Sequence, residues 1–141
     1  MTKRTFKRFP PLSEKQKRHS LQELEGQDWG EASFPSYLVR TCHALHRKPL
    51  RDFTVEDLRI MIGQNFSLEY LIPLALEHLQ REPLAEGDFY PGDLLGCVLG
   101  RVEPEFWQKR PDLRQAVEEI VALIPVFPKI LREHLSVFQQ Q

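Results

Sequence analysis

Cys42, His43 and His46 stand close together, and Cys42 and His46, four residues apart, share one face of any helix they lie on. A thiolate and an imidazole at that spacing can supply two ligands of a metal site. Against this, Cys42 falls on the same apolar face as Leu38 and Leu45, where a buried thiol is ordinary, and no second ligand pair stands at metal spacing. No metal is expected. His19, His78 and His134 are isolated in the sequence. A general base needs a partner and a pocket, so these read as surface histidines. Glu86, Asp88 and Asp93 gather around the 87–92 loop and could form a paired-carboxylate or cation site. The calcium-loop pattern is absent, and the plainer reading is a solvated loop with Asp93 as a helix N-cap. Two aromatics, Phe89 and Tyr90, sit on that loop, either as plugs of the core or as anchors of an interface. The glycines at 96 and 100 frame no phosphate loop, lacking the Lys-Ser/Thr pair and a preceding strand. No catalytic residue is assigned, and the chain is not expected to be an enzyme.

The elements that must position these residues are helical. Ser20 can cap a short helix over 20–25, and Gly26 and Gly30 bracket a turn around Trp29. Ser36 caps a helix to about residue 48, ended by Pro49. Thr54 caps the next, with Glu56 and Asp57 in its first turn, where they suit the positive end of the helix dipole, and Gly63 as its stop. Ser67 opens a third run, in which Pro73 predicts a kink or a late start. A short helix follows from Asp93 to about Arg101, weakened by Gly96 and Gly100 or packed closely through them. A turn or short helix carries Phe106 and Trp107, Pro111 starts a helix to about Ile124, and a last helix carries Phe127, Ile130, Leu131, Leu135 and Phe138. Period-2 alternation and hairpin signals are missing. The reading is all-α: a single compact domain of six or seven short to medium helices over 20–141, preceded by a flexible basic arm over 1–19. Phe6 and Phe9 in the arm suit base stacking or docking onto the domain.

The 141 residues carry a formal net charge of −1, which conceals a strong asymmetry. The arm holds seven basic residues against Glu14, while residues 52–93 hold nine acids against Arg59 and Arg81. No apolar run reaches the length of a membrane span, and the basic N-terminus lacks the apolar stretch of a secretory signal. Two cysteines make no disulfide framework, so a reducing cytoplasm is the expected compartment. An acidic surface of this kind can steer a basic partner, such as a nuclease whose own substrate is anionic.

Longer runs carry a resemblance. DFTVEDLRIMIGQN at 52–65, LIPLALE at 71–77 and PLAEGDFYPGDLL at 83–95 resemble the immunity proteins of bacterial contact-dependent growth inhibition (CDI), the CdiI family. So do LEGQDWG at 24–30 and SYLV at 36–39 upstream. The resemblance implies a cytoplasmic, non-catalytic protein without cofactor. Its partner would be the C-terminal toxin domain of a cognate CDI exoprotein, often a nuclease. Members face different toxins, so the shared runs are expected to be scaffold and the contacts to lie on variable surface. Interface candidates are therefore chosen by charge and exposure: Glu56, Asp57, Glu69, Glu77, Glu86, Asp88 and Asp93, with Phe89 and Tyr90 as anchors. The alternative is a small helical nucleic-acid-associated regulator that uses the arm; the acidic body, which repels phosphate, weighs against it.

Overall fold

Local capping chemistry sets where four of the nine described helices begin. In the computed structural model, which describes residues 9–33 and 36–141, Ser20 and Thr54 each form a capping box. Their hydroxyls accept the backbone N–H of Glu23 and Asp57, whose carboxylates accept the cap N–H in return. Ser36 caps through the Val39 N–H at 3.1 Å, and Pro111 is the first residue of its helix. The resulting helices are α1 (Glu14–Lys17), α2 (Leu21–Glu25), α3 (Tyr37–His46), α4 (Val55–Gly63), α5 (Leu68–Arg81), α6 (Asp93–Gly100), α7 (Pro104–Lys109), α8 (Pro111–Ala122) and α9 (Arg132–Gln139). Short 3-10 turns cover Leu50–Asp52 and Lys129–Leu131. The all-α expectation holds, with no strand among the described residues beyond two isolated bridges. Nine helices form there rather than six or seven: α1 folds in the stretch expected to be arm, and α7 is the helical one of the two forms expected around Phe106 and Trp107.

Ser67 opens α5 from the left-handed region at φ 51°, without a side-chain capping bond, and the helix starts at Leu68 and runs on through Pro73 rather than starting late there. That proline lacks the N–H that would have bonded Glu69, yet it is buried in the core with its neighbours Ile72 and Leu74. Packing around it offsets the lost bond.

Helix α6 is the centre of the packing. It touches α4 on one side and α9 on the other, while α5 contacts α4, α6 and α8. Leu94, Leu95, Val98 and Leu99 are fully buried against Leu58, Met61 and Ile62 of α4 and Leu71, Ile72 and Leu76 of α5. The glycines of α6 allow close approach: a Cβ at Gly100 would overlap the His134 ring of α9. His134 is thus a packing residue, and His78 is half-buried rather than a free surface group, with burial holding its pKa below the ordinary imidazole value.

The expected mobile arm over 1–19 is corrected for residues 9–19. Phe9 and Leu12 are each 8% exposed and join the core, flanking Pro10 and Pro11. Ser13 and Gln16 close a capping box on α1, the His19 carbonyl accepts the Leu50 N–H at 3.0 Å, and Lys17 meets Glu77 at 3.0 Å. Two apolar side chains beside a diproline suffice here because the proline rings reduce the entropy lost on ordering. Phe6 and the basic residues at 3, 4, 7 and 8 lie outside the described residues. Leu12→Ala should lower unfolding free energy by about 2 kcal/mol in urea titrations. A loss below about 0.5 kcal/mol, the size of an ordinary surface change, would return residues 9–19 to a mobile arm.

Candidate partner-binding face

Asp93 organises the loop that joins α5 to α6. It is 3% exposed, and its carboxylate accepts the N–H of Gly87 at 2.6 Å and of Phe89 at 3.1 Å. It is the first residue of α6 rather than the N-cap; Gly92 takes that place at φ 91°, where a side chain would be strained and would press on Leu131. As a candidate for partner contact, Asp93 is corrected: it is spent inside, fastening its own loop. Glu56 of α4 fastens the same loop from outside. It accepts both Nε (2.7 Å) and a terminal nitrogen (2.6 Å) of Arg59 and the N–H of Asp88 (3.0 Å). The Arg59 guanidinium, with the Asp88 amide, holds the Glu56 carboxyl below the usual carboxylate range.

Arg59 then turns its flat face to Phe89, with 4.5 Å from the guanidinium carbon to the ring centroid. Phe89 is 67% exposed, yet it is seated on a cation that two carboxylates hold. Tyr90 is partly buried against the core, and its hydroxyl is pushed up in pKa, chiefly by desolvation. The two aromatics therefore divide the two readings: Tyr90 plugs, Phe89 projects.

Most of the remaining acidic candidates are neutralised within the chain. Asp57 serves the Thr54 capping box and meets Lys48 at 2.6 Å; Glu69 pairs with Arg110; Glu77 pairs with Lys17. Glu86 and Asp88 are exposed, and neither makes an ion pair with any described cation. Glu82, which sequence reasoning did not single out, joins them on the same terms at the C-cap of α5. An acid at the negative end of a helix is unfavourable with the dipole, and that placement was the available signal.

Beside Phe89 runs a cleft of about 360 Å³, lined by Leu38 of α3, Arg59 and Gln64 of the α4 region, and Cys97 and Arg101 of the α6 region. A second cavity of about 260 Å³ adjoins it, sharing Leu38 and Gln64 and adding Trp29, Val39, Cys42, His43 and Phe66. Trp29 stacks on His46 with centroids 3.8 Å apart and ring planes 8° apart, and Nε2 of His46 lies 2.9 Å from Glu25. Cys42 and His46 thus serve packing. No group of three or more His, Cys, Asp or Glu able to hold a metal occurs among the described residues. The Cys97 thiol is pushed up in pKa by burial, the reverse of what nucleophilic cysteine chemistry requires.

Two measurements check this geometry. Asp93→Ala should lower stability by about 2–3 kcal/mol and speed amide exchange at Gly87 and Phe89, because two charge-assisted hydrogen bonds are lost. Unchanged exchange at both amides would remove Asp93 from its organising role. The lowered pKa of Glu56 stabilises the fold fully above the unfolded carboxylate's pKa, and this contribution is lost as pH falls through the native value. The stability gap between wild type and Glu56→Gln should therefore shrink on acidification from about pH 5 to about pH 3, read by urea unfolding at each pH. A gap that stays constant would show that Glu56 acts through packing alone.

No helix of the described residues is long and apolar enough to cross a membrane. Comparison with curated proteins gives no significant match. A family model described as CDI immunity proteins matches residues 23–117, the span that carries the Trp29 turn, α3 to α6 and the 82–93 loop. The chain belongs to the CDI immunity proteins.

Proposed function

We propose that this protein neutralises the toxin domain of a cognate CDI exoprotein by binding it tightly in the cytoplasm, without catalysing a reaction, and that the toxin is a nuclease. The observation that carries the reading, beyond family membership, is the loop surface around Phe89. There a rigidly held exposed aromatic stands beside the acids Glu82, Glu86 and Asp88, which no described cation neutralises. A nuclease must present cations to its anionic substrate, and an acidic loop is complementary to that surface. The nucleic-acid reading is weakened by the arm itself, since Phe9 is buried and Lys17 is committed to Glu77.

The charge-reversed triple variant Glu82→Lys, Glu86→Lys and Asp88→Lys should associate with the toxin domain about tenfold more slowly at low salt, with the gap closing as salt rises. Stopped-flow association rates measure this. Equal rates at all salt concentrations would overturn the electrostatic part of the proposal. Failure of the wild-type protein to rescue cells that express the toxin domain would overturn the whole.

A further inference from the structure

We infer that the toxin domain anchors itself by a large apolar side chain seated in the Trp29–Leu38–Phe66 cavity, with a neighbouring cationic residue meeting Glu86 and Asp88 across Phe89. This rests on the toxin-binding reading above and specifies its contact surface. Three of the seven exposed large apolar side chains among the described residues, Leu38, Phe66 and Phe89, line the two adjoining cavities, which join through Leu38 into one trough. The walls are preorganised. Trp29 is held flat on His46 and meets the Phe66 ring at 5.0 Å, while Nδ1 of His43 lies 3.0 Å, and the Arg47 guanidinium 2.7 Å, from the Gly30 carbonyl, tying down the Trp29 turn. A rigid aromatic pocket loses little entropy when filled, which is how a few buried anchors come to dominate the lifetime of a complex.

The charge on the loop of Phe89 selects the occupant. Glu86 and Asp88 are exposed on that loop and have no described cation partner, so a cationic group completes the contact. A second copy of this chain would repeat the same acids on both sides of a two-fold interface, where they would repel. A basic toxin surface has no such conflict.

The test uses the full chain and the C-terminal toxin domain of the cognate CDI exoprotein, with binding followed by calorimetry and surface plasmon resonance. Leu38→Asp should weaken binding at least about thirtyfold, mainly through faster dissociation, and Val126→Asp, on the C-terminal segment, should change it less than about twofold. Circular dichroism and thermal melting establish folding, and Leu38→Gln, with a milder loss expected, serves if Leu38→Asp fails to fold. A folded Leu38 variant with wild-type affinity overturns the anchor while leaving the toxin-binding reading intact. A wild-type chain that neither binds nor rescues overturns both. Sedimentation showing a wild-type dimer that Leu38→Asp splits into monomers would assign the trough to a second copy and overturn the inference.

Discussion

The structure depends on the burial of one short helix. Helix α6 is eight residues long, and such a helix is unstable alone in water, since its few hydrogen bonds do not offset the cost of nucleation. It persists because α4, α5 and α9 surround it, and Gly96 and Gly100 let α9 come close. Its first residue, Asp93, is enclosed with it, and the enclosed carboxylate must find donors. It finds them in the backbone of the preceding loop. The shape of the loop that carries Phe89 is thus a consequence of how the centre of the domain packs.

The same economy governs the charges. Residues 52–93 look like an acidic face in the sequence, but folding brings Lys17, Lys48 and Arg110 from outside that stretch onto Glu77, Asp57 and Glu69. Pairs of this partly exposed kind contribute little individually to stability. Their effect on function is greater: they subtract from the surface most of the charge that could steer a partner. What remains outward is a small acidic group at one loop, next to an exposed aromatic. That is a better recognition element than a diffuse acidic helix face, because a localised patch fixes orientation as well as attraction.

Local chemistry was readable wherever a short-range interaction dominates. Ser20, Ser36 and Thr54 cap as their spacing predicts, and Pro111 starts its helix, since these contacts span three residues or fewer. The family-like runs were also readable, and they fall within the matched span 23–117. The misreadings share one cause. Asp93 has the residue type of a cap, yet its carboxylate answers to the loop amides of Gly87 and Phe89. Residues 9–19 have a composition that suggests an arm, but Phe9 and Leu12 find a surface supplied by distant helices.

The sequence by itself determined the helical class, most helix starts, the family and the loop on which the exposed acids and aromatics lie. Each of these follows from residue type, local spacing or extended sequence similarity. Only the tertiary structure decided which of the nine acids of 52–93 face outward, that Tyr90 plugs while Phe89 projects, and that Trp29, Leu38 and Phe66 line one cavity. Those outcomes turn on partners far apart in the chain: Lys17 to Glu77, Asp88 to Glu56, Trp29 to Phe66. Helical periodicity places a residue on a face of its own helix, but not against the group that another helix brings to meet it.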